Sequence, residues 1–196
     1  MSVALKKEPS WLDRALVFGR NFFKHPKMLG SAIPSTRFLI NRLLRRVDWS
    51  VADVIVEYGP GVGVFTTEIL RRMRPDATLI VFETNGEFVE FLRRTIDDAR
   101  LHVIHGSAAE IGTVLAQLGL THADYIISGI PYSTMPAEIR SAILESSYEA
   151  MSGRGAFLVY QFSSAARPYL QQVFKSVELD FEPLNLLPAR LFYCRG

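Results

Sequence analysis

Three glycines within five residues constrain this chain more than any other stretch. Val54 to Thr67 read VIVEYGPGVGVFTT, with Gly59, Gly61 and Gly63 between a β-branched run and a helical pattern. Val54, Ile55 and Val56 have strand character, and from Val64 onward Phe65, Ile69 and Leu70 recur at helical spacing. Strand, glycine turn and helix, in that order, form the unit on which open α/β sheets cradle nucleotides. Glycine lets the backbone turn sharply and approach a ligand, because no Cβ intervenes. The spacing G-x-G-x-G differs from the dinucleotide pattern G-x-G-x-x-G, since Val64 occupies the place of its last glycine. No Gly-Lys-Ser/Thr follows, which argues against a phosphate-gripping loop. Glu57, two residues before the first glycine, disfavours bound phosphate and suits a ligand carrying positive charge. The plainer alternative is a turn that only links strand to helix.

The rest of the chain repeats the alternation. Strands are expected over Ala52–Glu57, Thr78–Phe82, Leu101–Ile104, Tyr125–Ser128 and the apolar run GAFLVYQF, whose unbroken hydrophobicity suits the buried centre of a parallel sheet. Helices are expected from Val64 to about Met73, over Gly86–Ala99, through Leu118 and over Ala137–Met151. Ser176–Glu182 and Ala189–Cys194 offer an antiparallel pair. The fold class is therefore α/β: a doubly wound, mostly parallel sheet with an antiparallel edge strand. At 196 residues, 48% hydrophobic and 21% charged, one globular core is expected rather than a disordered chain. The single cysteine, Cys194, has no internal disulfide partner and points to a reducing compartment. No stretch approaches the roughly 18 apolar residues of a membrane span. The start, MSVALKKEPSW, lacks the apolar core of a signal peptide, so a cytoplasmic location is expected.

Charge divides the chain at residue 48, giving an arm (1–48) and a domain (49–196). Residues 1–46 hold ten Lys/Arg against Glu8 and Asp13, a sum of +8, so the remainder carries −6. A basic arm on an acidic body points to an anionic partner, nucleic acid or a membrane surface. A helix is expected from Ser10 to Lys24. On it Trp11, Leu12, Ala15, Leu16, Phe18, Phe22 and Phe23 fall within an arc of about 160°. Arg14, Arg20 and Lys24 take the other side. Aromatics opposite cations fit a helix lying in the headgroup region of a bilayer. The same face could equally pack on the protein's own core, and both readings stand here. Ser35 or Thr36 can cap a second helix, Arg37–Val47, burying Phe38, Leu39, Leu43 and Leu44.

In such sheets ligands bind beyond the carboxyl ends of the strands. Four ends converge: Glu57 with its glycines; Glu83 with Thr84; Gly106, Ser107 and Ala108; and Ser128 to Tyr132. Glu83 lies twenty residues beyond Gly63, where an acid can accept hydrogen bonds from both ribose hydroxyls of an adenosine ligand. His102, His105 and His122 have no Cys or acid at ligand spacing, so no metal is expected.

These motifs carry a resemblance. E-x-G-P-G-x-G at 57–63 is similar to the first motif of class I S-adenosyl-L-methionine (SAM) methyltransferases. S-G-I-P-Y at 128–132 resembles the N-P-P-Y motif of amino methyltransferases. With G-S-A-I-P-S-T at 30–36, Y-Q-F at 160–162 and N-L-L-P-A-R at 185–190, nearly the whole chain resembles the small peripheral bacterial phospholipid N-methyltransferases, which are related to the ribosomal RNA adenine dimethylases. The resemblance implies a seven-stranded Rossmann-like sheet, with SAM as cofactor and S-adenosyl-L-homocysteine as product. It implies methylation of the phosphatidylethanolamine headgroup and its mono- and dimethyl products towards phosphatidylcholine. The cofactor residues it implies are Glu57, Gly59, Gly61, Gly63, Glu83, Thr84, Gly106, Ser107, Ala108 and Ser128. The catalytic residues it implies are Tyr132, Ser128 and Gly129, with the Tyr132 hydroxyl offered to the amine and its ring face to a developing ammonium. Tyr160 and Gln161 are weaker candidates for the same pocket. Two departures bear on chemistry. Ser128 stands where the family's Asn holds a nucleobase amine, and Ser107 stands where many SAM enzymes place an adenine-holding Asp.

Three functions compete. The first is a lipid N-methyltransferase, on phosphatidylethanolamine or another lipid amine such as ornithine lipid. It would work as a peripheral monomer on the anionic inner face of the cytoplasmic membrane, docked by Trp11, Arg14, Phe18, Arg20, Phe22, Phe23 and Lys24. The second is a ribosomal RNA adenine N6-dimethyltransferase-like enzyme, favoured by the basic arm. Against it, the chain stops right after the edge strands with no room for an RNA-binding helical domain, so nucleic acid is not the expected partner. The third is a SAM- or membrane-binding module without catalysis.

Overall fold

A computed structural model of the protein describes residues 36–185 and 187–196. The arm residues Trp11, Arg14, Phe18, Arg20, Phe22, Phe23 and Lys24, and most of the G-S-A-I-P-S-T motif, lie outside the described residues.

The apolar spacing of the sequence becomes helix and strand much as expected. Helix α1 (Arg37–Leu44) is capped by the Thr36 hydroxyl, which accepts the Leu39 N–H at 3.5 Å. It buries Leu39, Ile40, Leu43 and Leu44, while Phe38 stays out. Strand β1 (Val54–Tyr58) leads through the glycines to α2 (Val64–Arg72). Then follow β2 (Thr78–Glu83), α3 (Gly86–Thr95) and β3 (Leu101–His105). A 3-10 turn at Ala108–Glu110 opens α4 (Ile111–Gln117), before β4 (Ala123–Ser128), a second 3-10 turn at Tyr132–Thr134 and α5 (Ala137–Ala150). Strand β5 (Met151–Gln161), α6 (Arg167–Val173), β6 (Ser176–Glu182) and β7 (Ala189–Arg195) complete the chain. Helix α6 has no counterpart in the sequence reading.

The seven strands lie in the order β3-β2-β1-β4-β5-β7-β6. The first five run parallel, and β7 runs antiparallel to both β5 and β6. The antiparallel element at this edge is thus the β6–β7 hairpin, whose returning strand sits one place inside the rim. Each face of the sheet buries its own apolar layer, as a doubly wound sheet requires. Val56, Ile80, Ile126, Phe157 and Phe192 meet α4, α5 and α6 on one face. Ile55, Leu79, Ile127, Leu158 and Leu191 meet α1, α2 and α3 on the other.

Two features depart from the arm-and-body reading. Helix α1, assigned to an arm ending at residue 48, shares the second apolar layer with β1 and α2, so the domain's core begins by Leu39. Three of the arm's cations are also spoken for. Arg42 pairs with Asp180 (3.4 Å) and Glu182 (3.3 Å), Arg45 with Asp180 (3.3 Å), and Arg46 with Glu178 (3.2 Å), all acids of β6. Part of the charge asymmetry is therefore settled inside the fold. The last carbonyls of α2 are met by Arg100, whose guanidinium donates to Leu70 (2.9 Å), Met73 (3.3 Å) and Arg74 (3.1 Å).

Candidate active site

The sheet ladder runs on past the strand ends and fixes the loops above it. The Gly59 N–H donates to the Phe82 carbonyl (2.9 Å), Gly106 to Glu83 (3.1 Å) and Gly129 to Tyr58 (3.1 Å). Four loops are thereby locked side by side at the carboxyl rim. Gly59, Gly61 and Gly63 have φ of 70°, 55° and 76°, the left-handed region that disfavours a side chain. A Cβ on Gly59 would stand 2.8 Å from Ile130 Cγ2, and one on Gly63 2.7 Å from Leu92 Cδ2. Both close packing and backbone conformation therefore require glycine there.

Beside this rim lies a cavity of about 190 Å³, lined by Tyr58, Gly59, Phe82, Glu83, Thr84, Gly106, Ser107, Ala108, Ile130, Pro131, Met135, Ile139 and Ile143. Gly59, Glu83, Thr84, Gly106, Ser107 and Ala108 of the sequence-derived set share this wall. Glu57, Gly61, Gly63, Ser128, Gly129 and Tyr132 do not line it. The apolar contributors Phe82, Met135, Ile139 and Ile143 are absent from the sequence-derived set. Met135, Ile139 and Ile143 recur every four residues, a spacing that by itself reads as core.

Glu83 is the polar centre of the cavity, and only 5% of it is exposed. Its carboxylate accepts the Asn85 N–H (2.9 Å) and the Gly61 N–H (3.2 Å), pinning the glycine loop to the end of β2. Burial pushes its pKa above the usual carboxylate value, while the N–H groups of Asn85, Gly61 and Thr84 pull it back. Ser107 caps the 3-10 turn by accepting the Ala109 N–H at 3.2 Å. A buried carboxylate offers about four acceptor positions, so it retains capacity for a diol. An apolar slot with one such carboxylate, roofed by a backbone that tolerates no Cβ, fits the nucleoside end of SAM.

Glu57 departs from expectation. It lies beneath the glycine loop, 3% exposed, and accepts the Thr66 hydroxyl at 2.6 Å. Desolvation raises its pKa to about 8, the Thr66 hydrogen bond lowers it and the neighbouring Glu83 raises it further. At neutral pH it is largely a protonated acid rather than an open counter-charge.

Tyr132 departs more sharply. Instead of offering its ring to an acceptor, it is wholly buried, edge-on to Phe157 at 6.3 Å, with its hydroxyl 2.8 Å from Ser128 Oγ. The 3-10 turn after Pro131 directs it inward: the Tyr132 N–H donates to the Ile130 carbonyl at 3.1 Å. Burial holds its hydroxyl well above the ordinary tyrosine value. Tyr160 is the aromatic that stands over Gly129. Its ring stacks on Phe65 (4.9 Å, 16°), and its hydroxyl lies so close over Gly129 that any Cβ there would overlap it. Gln161 donates to the Ile130 carbonyl at 2.8 Å and ties β5 to the loop after β4. Among the described residues, no group of three or more His, Cys, Asp or Glu is placed to hold a metal ion, and no helix is long and apolar enough to cross a membrane.

The family model described as ribosomal RNA adenine dimethylase matches residues 20–168. An ornithine lipid N-methyltransferase from Singulisphaera acidiphila is 32% identical over 186 residues, covering 94% of this chain and 96% of that protein. A ribosomal RNA small subunit methyltransferase A from Mycoplasma mycoides is 34% identical over 113 residues, 56% of this chain but only 40% of its own. Among solved structures, PigF with SAH superposes with a TM-score of 0.61 at 16% identity, over 98% of this chain and 64% of its own. Precorrin-6y C5,15-methyltransferase from Geobacter metallireducens gives 0.59 at 13% identity, over 100% and 94%. These two likenesses bear on the fold alone.

Proposed function

Since this chain belongs to the ribosomal RNA adenine dimethylase family, we propose that it turns the family's methyl transfer to a lipid, as a SAM-dependent N-methyltransferase acting on the amine of a lipid headgroup, ornithine lipid foremost. SAM is the cofactor, and it supplies a methyl group on a sulfonium that is already a good leaving group. Glu83 would hold the ribose hydroxyls, and Phe82, Ile130 and Ile143, which line the same cavity, would enclose the base. What remains for the protein is to align an uncharged amine and keep water out.

The observation that carries the lipid reading is the buried pair Ser128–Tyr132. A nucleobase acceptor needs an amide to hold its amino group and an open aromatic to stack on it. Here the amide is a serine, and the tyrosine ring is sealed in the core. An alkylamine needs neither. It must lose a proton before attack, which a poorly solvated site favours by lowering its pKa. Tyr160, stacked on Phe65 with its hydroxyl above Gly129, stands at the same rim. The near full-length match to an ornithine lipid N-methyltransferase supports the same choice. Phosphatidylethanolamine and its methylated products form the second reading, supported by Y-Q-F at 160–162 and N-L-L-P-A-R at 185–190. The enzyme would act as a peripheral monomer on the inner face of the cytoplasmic membrane, with residues 1–35 contributing to attachment.

The test is thin-layer chromatography of lipids from cells that make both amines and express the protein with labelled methionine. New methylated ornithine lipid is expected with the parent protein and a strong loss with Glu83→Ala, since a buried charge-assisted hydrogen bond is worth about 1.5–3 kcal/mol. Label appearing in ribosomal RNA and in no lipid would refute the proposal.

A further inference from the structure

Large apolar side chains open to solvent are few among the described residues, and most gather at one corner. Phe38 (44% exposed) stands on the first turn of α1, Phe181 (43%) on β6, and Leu184 (62%) and Leu187 (44%) in the β6–β7 turn. This corner is firmly built. The Asn185 side chain, 6% exposed, accepts the Thr36 N–H at 2.9 Å and donates to the Leu187 carbonyl at 2.9 Å. The buried Glu182 carboxylate accepts the Leu184 N–H at 2.8 Å. Two buried polar groups thus hold a turn whose leucines face outward, an arrangement that stabilises exposure rather than burial.

Position and charge identify what the corner meets. Arg190 of β7 pairs with Gln161 at the carboxyl end of β5, so the turn projects from the rim that carries Gly59, Glu83 and Gly129. The Arg37 guanidinium lies 5.3 Å from the Phe38 ring centre, and that of Arg190 lies 5.7 Å from Phe181. Neither arginine makes an ion pair among the described residues, whereas the acids of β6 pair with α1. The Thr36 hydroxyl reaches the Leu184 carbonyl (3.5 Å), so the basic segment 1–35 joins the body at this same corner. Apolar tips accompanied by guanidinium groups that make no ion pair among the described residues match a surface with anionic headgroups above hydrocarbon.

We infer that Phe38, Phe181, Leu184 and Leu187, with Arg37 and Arg190, form a bilayer-docking surface that seats the rim of the active site on an anionic membrane. This rests on the lipid-amine reading for its purpose, but not for its test. Full-length parent protein, Leu184→Ser/Leu187→Ser, Arg37→Gln/Arg190→Gln and the control Val51→Ser, an exposed valine of the loop before β1, are sedimented with vesicles of phosphatidylglycerol and phosphatidylcholine, or of phosphatidylcholine alone. The leucine pair should lower partitioning about a hundredfold on anionic vesicles, since burying each leucine is worth roughly a decade. The arginine pair should abolish the preference for phosphatidylglycerol, and Val51→Ser should leave it intact. Turnover of a short-chain acceptor dispersed below its micelle concentration should stay at the parent rate in the leucine variant, while its apparent KM on vesicles rises.

Unchanged partitioning of the leucine variant overturns the inference. So does a loss of self-association without vesicles, which would make a second copy the occupant, or a loss of RNA binding with vesicle binding intact. The two proposals fail separately. A parent protein that pellets with vesicles but methylates no lipid refutes the catalytic reading alone. Leucine variants that methylate and pellet like the parent refute the docking surface alone.

Discussion

Desolvation beneath the glycine loop moves the Glu57 carboxyl from an ordinary 4.5 to about 8. Between those values the folded chain keeps a proton that the unfolded chain has released. This group's contribution is therefore fully present below about pH 4.5 and is lost as pH rises through about 8. The effect is on the order of a few kcal/mol, at about 1.4 kcal/mol per pKa unit. Thermal melts of the ligand-free protein should show Tm falling between about pH 5 and about pH 8, and Glu57→Gln should flatten that slope. Parallel slopes in the two proteins would show that the proton is held elsewhere. At this scale the sequence reveals residue type and spacing better than direction. Glu83 is legible because strand length and the helix before it fix where an acid at the end of β2 must fall. Tyr132 is legible as a rim residue, but nothing in S-G-I-P-Y says that the turn after Pro131 points its ring inward to Ser128.

Elements follow the same rule: periodicity gives existence, while pairing depends on partners far away in sequence. The spacing of Leu39, Leu43 and Leu44 announces α1, yet its place in the core depends on β1 and on the acids of β6. Helix α6 escapes notice because it is short and Leu170 is its one buried residue. The junction of β4 and β5 offers a sharper test. Gly129 lies under the Tyr160 hydroxyl, so Gly129→Ala must drive that ring out of its stack on Phe65. The cavity of Glu83 does not include Gly129. Turnover should therefore collapse, by about a hundredfold for a reacting group misplaced by an ångström, while SAM affinity by calorimetry stays near the parent value. Equal losses of both would mean that Gly129 serves the fold rather than the acceptor.

Taken whole, the described residues bury the sheet on both faces. Among the described residues, the core begins at Leu39. A chain lacking residues 1–25 should melt at the parent's Tm and bind SAM unchanged, yet pellet less with phosphatidylglycerol vesicles. A large drop in Tm would instead make the Trp11–Phe23 face part of the core. Doubly wound topology is readable because strands and helices alternate, but the placing of β7 is not, since one residue run suits an edge or an inner position alike. That placing also governs assembly. Among the described residues, strand β6 pairs with β7 alone, and β7 joins the parallel strands through β5. The hairpin closes locally and fast, whereas its landing on β5 must wait until the parallel strands stand together, the slow kind of step in such topologies. The corner bearing Leu184 is thus among the last parts of the surface to take shape. A chain caught short of its final folding step would lack that corner, and with it the docking surface proposed above.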